Sequence, residues 1–217
     1  ADAFLGKPFN EAELSSTVRN LLHLKQGEKE IQRLNRYLTE SVCKRYLPPD
    51  LIQEILDGTL SMDKPAELRH ITVLFSDLKG FTSTSESLGA TEIADLLNEY
   101  LTAMNDIIFE HGGTIDKFIG DAIMVIFGAP KEMDIGLQAE RAAACAKAMQ
   151  HAMESMAKGW ESRGASHLAM RIGIHQGKAV VGNFGSKQRV DYTAIGPSVN
   201  LASRIETACE PGSIYVS

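Results

Sequence analysis

The amino-acid sequence predicts an α+β protein with a ferredoxin-like β-α-β-β-α-β core and an N-terminal helical linker. Three observations carry this. A strand over 70–76 alternates Ile71, Val73 and Phe75. A long helix over 91–110 keeps Ile93, Leu96, Leu97, Tyr100, Leu101, Met104, Ile107 and Ile108 on one face. A hairpin, 114–119 and 122–127, turns at Gly120-Asp121.

The remaining elements follow in order. Residues 1–26 read as a short strand, a Lys7-Pro8 turn and a helix, with Asn10 as N-cap, Glu13 completing a capping box, and Leu14, Val18 and Leu21 at helical spacing. Gly27 marks a break. Over 28–47, Ile31, Leu34, Leu38 and Val42 recur every three or four residues. That spacing suits a coiled-coil seam, and it suits a surface helix packed on its own domain equally well. Pro48-Pro49-Asp50 opens another helix, which ends at Asp57-Gly58. In the main domain the 91–110 helix stops at His111-Gly112-Gly113. An alanine- and methionine-rich helix spans 135–158. Strands follow at 168–175, 179–184 and 189–195. A last helix starts at Pro197 and stops before Pro211-Gly212. The expected domains are 1–26, 27–64 and 65–217. Both ends look cut: no methionine opens the chain, and Ile214-Tyr215-Val216-Ser217 reads as the middle of a strand.

Composition narrows the function. With 217 residues, 44% of them apolar, the chain can bury a sizeable core. A net charge of −6 without a basic run argues against nucleic acid as partner, while leaving room for a nucleotide held through metal ions. Cys43, Cys145 and Cys209 are scattered, as reduced cytoplasmic thiols are. No apolar run approaches the roughly 20 residues that a membrane helix needs.

Three constellations carry chemistry. Asp77 ends the first strand in LFSDLKGFT, and Asp121 sits in the hairpin turn. In a ferredoxin-like sheet these strand ends are neighbours. Either acid alone reads as an ordinary turn or cap residue; together they suit a pair of Mg²⁺ ions, which bind few carboxylates plus substrate phosphates. The loop 78–82 runs into Ser83-Thr84-Ser85-Glu86, a capping-box pattern at the start of a short helix, where backbone N–H groups favour phosphate. Asn200 and Arg204 lie four apart on one face of the last helix. Arg suits charge developing on a phosphoryl group, and Asn can hold a sugar or base edge.

The blocks LFSDLKGFT, DKFIGDAIMVIFG, RIGIHQGKAVVGNFG and DYTAIGPSVNLASRIE together resemble the successive signatures of class III nucleotide cyclases, nearest the bacterial and cyanobacterial adenylyl cyclases. The resemblance implies cytoplasmic conversion of ATP to cyclic AMP and pyrophosphate in a homodimer with shared sites, using two Mg²⁺ or Mn²⁺ ions per site. It implies that Asp77, Asp121 and the Leu78 carbonyl bind metal. Gly80, Phe81 and Thr82 form the phosphate turn. Lys117 selects adenine together with Thr193, which stands where many adenylyl cyclases carry Asp. Asn200 and Arg204 steady the ribose and the transition state.

Three departures stand beside this. Pro197 replaces a common acid, a further phosphate-binding lysine of the family falls beyond Ser217, and Lys178 is a weaker phosphate candidate. Residues 1–26 resemble the end of a response-regulator receiver domain, with Lys7 as its phosphoryl-sensing lysine, which implies an upstream receiver in cis. Residues 37–56 resemble the transducing helix ahead of such cyclases. The rivals are guanylyl cyclase, against which Lys117 argues; diguanylate cyclase, whose GG-D/E-E-F turn is replaced by Ile119-Gly120-Asp121-Ala122; and a silent dimerisation module that relays a receiver signal.

Overall fold

The computed structural model describes residues 11–41, 52, 54, 56–59, 65–165, 167–186 and 190–217. The chain divides into two compact units, Ala1–Tyr46 and Leu47–Ser217.

The first unit contains α1 (Glu11–Ser41), a single helix of 31 residues. It runs straight through Gly27, where the sequence suggested a break. One helical glycine costs only about 1 kcal/mol against alanine, and the flanking Leu, Lys, Gln and Glu residues are strong helix formers. Arg33 pairs with Glu30 at 2.7 Å one turn away. Leu14, Val18, Leu21, Leu24, Ile31 and Leu34 all remain exposed. The expected N-terminal strand, the Lys7-Pro8 turn, the Asn10 cap, Val42 and Pro48-Pro49-Asp50 lie outside the described residues.

The second unit is built on a six-stranded sheet in the order β2-β3-β1-β4-β5, with β6 beside β4. The strands are β1 (Glu67–Lys79), β2 (Thr114–Ile119), β3 (Ala122–Phe127), β4 (Ala169–Gly185), β5 (Val190–Ile195) and β6 (Ile214–Val216). The helices are α2 (Phe81–Ser87), α3 (Ala90–Glu110), α4 (Ile135–Gly159) and α5 (Pro197–Ala208). The order β2-β3-β1-β4, antiparallel throughout, is that of the expected ferredoxin-like core. As central strand, β1 is covered on both faces and so reads as a near-continuous apolar run. Leu74 and Leu78 face α3 and α4 beside Tyr100, Met104, Ile108 and Met149. Ile71, Val73 and Phe75 join Ala179, Val181 and Ala202 on the other face.

Two strands differ from expectation. β1 extends beyond 70–76 at both ends because β4 pairs with all of it, from Glu67↔Val181 to Lys79↔Ala169. The two strands expected at 168–175 and 179–184 are one, β4. Gly177 is there for closeness rather than for a turn: a Cβ on it would stand 2.5 Å from the Ser198 hydroxyl of α5. The sheet also curls, so that its outermost strands β2 and β5 touch.

Candidate active site

The β1–β3 ladder ends at Ser76↔Ile123, which leaves Asp77 and Leu78 facing the open hairpin turn. There the Leu78 N–H donates to Asp121 Oδ2 at 3.2 Å. In a strand the C=O of a residue points to the same edge as its N–H, so the Leu78 carbonyl lies on the Asp121 side. Burial pushes the Asp121 carboxyl above its ordinary range, and the charge of Asp77 pushes it further. Behind the pair, the buried Tyr100 hydroxyl is pushed up by desolvation, with the charges of Asp121 and Asp77 adding to it.

Arg171 was missed in the sequence. It sits directly across the ladder from Asp77, and its guanidinium bonds to the Asp77 carboxylate and stands 3.0 Å from Glu206 Oε1 on α5. Burial pushes Glu206 up and Arg171 pulls it back. Only the β1–β4 register reveals this pairing.

The turn expected to bind phosphate is organised differently from the predicted capping box. Gly80, at φ +93°, is the N-cap of α2 and no side chain caps it. The hydroxyls of Ser83 and Thr84 instead donate back to the Gly80 carbonyl, each at 2.8 Å. Phe81 packs against the core, and Thr82 is exposed.

Lys117 and Thr193 approach one another across the curl of the sheet, through a residue the sequence reading passed over. Asp116 has a fully covered side chain and lies 3.3 Å from Lys117 Nζ, itself 41% exposed. Thr193, 7% exposed, has its hydroxyl beside Asp116.

Asn200 and Arg204 are exposed on α5. In one chain, α5 turns Glu206 rather than these two toward Asp77 and Asp121. Lys178 is exposed and pairs with His70, at the far end of the ladder from Asp77. A separate cavity of about 370 Å³, lined by Gly112, Lys131, Asp134, Leu137 and Arg141 among others, contains none of the expected site residues.

The residues at the β1 end fit divalent cations. Burial and the charge of Asp77 raise the cost of ionising Asp121, and a cation beside the two relieves it. Among the described residues no group of three or more His, Cys, Asp or Glu could hold a metal. A site of two acids suits a hard cation that keeps waters and takes phosphate oxygens.

An antiparallel sheet of this order, with a carboxylate pair at the end of its central strand, is the frame of a nucleotide cyclase. The chain belongs to the adenylate and guanylate cyclase catalytic domain family, whose model matches residues 64–217. It is 43% identical over 147 residues to an adenylate cyclase of Anabaena cylindrica, covering 65% of this chain and 28% of that protein. Among solved structures it is similar to the adenylyl cyclase CyaB from P. aeruginosa, at 44% identity and a TM-score of 0.69, covering 71% of this chain and 79% of that one. It is as similar to the guanylyl cyclase Cya2, at 45% identity and a TM-score of 0.67, covering 71% and 77%. The chain spans less than a third of the length of the first curated relatives it matches. Among the described residues no helix is long and apolar enough to cross a membrane.

Proposed function

We propose that this chain is the catalytic part of an adenylyl cyclase, forming 3′,5′-cyclic AMP and pyrophosphate from ATP in a homodimer whose two sites each draw on both protomers. The observation that carries the reading is the coupled pair Asp77 and Asp121, held together through the Leu78 N–H at the end of β1.

In this reading Asp77, Asp121 and the Leu78 carbonyl would hold a pair of Mg²⁺ or Mn²⁺ ions. When bound, such ions acidify the ribose 3′-hydroxyl and neutralise the triphosphate. The chain's own groups do the positioning. Arg171 holds Asp77 in place by a charge-assisted hydrogen bond, and the backbone turn at Gly80, Phe81 and Thr82 receives phosphate oxygens. Asn200 of the second protomer steadies the ribose, and its Arg204 answers the charge on the α-phosphoryl group as the 3′-oxygen attacks in line and pyrophosphate leaves. The exposure of Asn200 and Arg204, away from Asp77 of their own chain, supports their serving the partner's site. In this reading the receiver-like residues 1–26 would bring the machinery under an upstream input in cis.

Overall likeness does not choose the nucleotide, since 44% identity to an adenylyl cyclase stands beside 45% to a guanylyl cyclase. The choice rests on Lys117. Its ammonium only donates, which suits the N1 acceptor of adenine and opposes the N1–H of guanine. The test is the rate of cyclic AMP and cyclic GMP formation with Mg²⁺ or Mn²⁺. Cyclic AMP formation well above cyclic GMP formation is expected; a preference for GTP, or no cyclase activity with either ion, would overturn the proposal.

A further inference from the structure

Asp116 has no part in the reading given so far, yet its position is costly. Its side chain is fully covered, and a carboxylate is rarely buried unless paired and hydrogen-bonded. Asp116 is only partly provided for. Lys117 Nζ stands 3.3 Å from Oδ2, and neither carboxylate oxygen receives a well-aligned hydrogen bond. Burial pushes the Asp116 carboxyl above its ordinary range, and the nearby Thr193 hydroxyl, Lys117 and Ala194 N–H draw it part of the way back down.

Two features of the backbone bring these groups together. The register of β2 against β3 slips between Ile115 and Lys117, a bulge in which Asp116 is the extra residue. A bulge breaks the alternation of faces, so Asp116 and its sequence neighbour Lys117 can meet. The curl of the sheet then brings Thr193, on the opposite outermost strand, to the same point. The two side chains expected to read the base therefore converge on one buried carboxylate.

A threonine hydroxyl is ambiguous as a reader, having one donor and two acceptor lone pairs. The six-position of adenine carries an amino donor, and that of guanine a carbonyl acceptor. A free hydroxyl would serve either. A hydroxyl whose proton is already given away can only accept. We infer that Asp116 is a positioning residue for base choice: it takes the Thr193 hydroxyl proton in a hydrogen bond, leaving Thr193 an acceptor that fits the adenine amino group and rejects the guanine carbonyl. Lys117 supplies the charge that keeps Asp116 an acceptor, and its remaining N–H groups are free for the base. Threonine backed by a buried aspartate thus presents what a carboxylate would present at position 193. The inference rests on the adenylyl cyclase reading, in which Lys117 and Thr193 face the base.

The test measures kcat/KM for ATP and GTP, and the melting temperature, in the full chain carrying Asp116→Asn or Asp116→Ala. Asparagine keeps the shape but can donate to Thr193, and alanine leaves the hydroxyl proton free. In both, the ATP-to-GTP ratio is expected to fall roughly tenfold or more, with GTP turnover rising, because a hydrogen-bonding site no longer leaves the wrong base unpaired. The melting temperature should not fall, since the buried charge is gone. In a Thr193→Val background, Asp116→Asn should change the ratio little further. An unchanged ratio in both variants, an equal change in the valine background, or failure of both variants to fold overturns the inference. Lys117→Glu separates the two levels. If it shifts the ratio toward GTP while the Asp116 variants do not, only the role of Asp116 falls. If neither shifts it, the base-reading assignment falls as well.

Discussion

Arg171 and Asp77 face each other across the β1–β4 ladder and are joined by a charge-assisted hydrogen bond, with Glu206 Oε1 of α5 3.0 Å from the same guanidinium nitrogen, Nη2. One of the two proposed metal-binding carboxylates is therefore held from the sheet side before any ion or nucleotide arrives. Its partner, Asp121, is held by a backbone N–H instead.

Asp77→Asn and Asp121→Asn should each lower cyclic AMP formation by on the order of 10²–10³-fold, as loss of one preorganised electrostatic group does. Circular dichroism should be unchanged, because neither side chain belongs to the apolar core. Activity retained in either variant at saturating Mg²⁺ would remove the metal assignment.

The shared site predicts complementation. Asp77→Asn alone and Arg204→Ala alone should both be nearly inactive. Mixed in equal amounts with free exchange, half the dimers are heterodimers in which one site carries both lesions and the other none, so about a quarter of wild-type sites return. A mixture as inactive as its components, with exchange shown independently by labelled subunits, would place the whole site within one chain.

The exposed apolar residues of α1 predict pairing with a second copy. Ile31 is 61% and Leu34 48% exposed. Replacing both with Asp should weaken self-association by about tenfold or more in Kd, given roughly 1.5–3 kcal/mol for burying each such side chain. Sedimentation equilibrium measures it. An unaltered dimer would leave α1 as a surface helix only.

Cys145 should resist alkylation in the native state. It is buried against Met149, its Sγ 3.7 Å from the Met149 Sδ, and desolvation pushes its thiol up to about 12. Its thiolate fraction at neutral pH is then lower than that of a free cysteine by about a thousandfold or more. Peptide mapping after iodoacetamide treatment should find Cys145 modified only in denaturant; rapid labelling without denaturant would show that this core opens.

Much of the fold was legible because its elements alternate cleanly. Ile71, Val73 and Phe75 announced β1, the hairpin strands fall where their residues put them, and the apolar face of α3 was read within one residue of its start. Glycine was the recurrent source of error. Gly27 was read as a break and lies inside a helix, while the stretch 176–178, which holds Gly177, was left between two strands and lies inside one. Gly177 answers a close approach by Ser198 that sequence does not display, whereas at Gly27, where a Cβ would meet nothing, the strong helix formers on either side outweigh the cost of one glycine. Within the candidate site, Asp77, Asp121 and Lys117 stood out through their turn and block context. Arg171 needed the register to be seen opposite Asp77. Asp116 was passed over in the sequence, and only the bulge and the curl show it covered.

Gly173, one β4 residue, shows how little freedom this arrangement leaves. A Cβ there would come within 2.6 Å of the Glu206 Cα and 2.8 Å of the Ala202 carbonyl. At this point the helix that carries Asn200 and Arg204 thus rests on bare backbone, with no side chain between to be repacked. Evolution and protein engineering alike can vary the outer surface of α5 around Asn200 and Arg204, but its seat is inherited with the sheet. A saturation library at position 173 should return glycine alone among active clones, a tolerance profile as narrow as that of a metal ligand in a residue that touches no substrate.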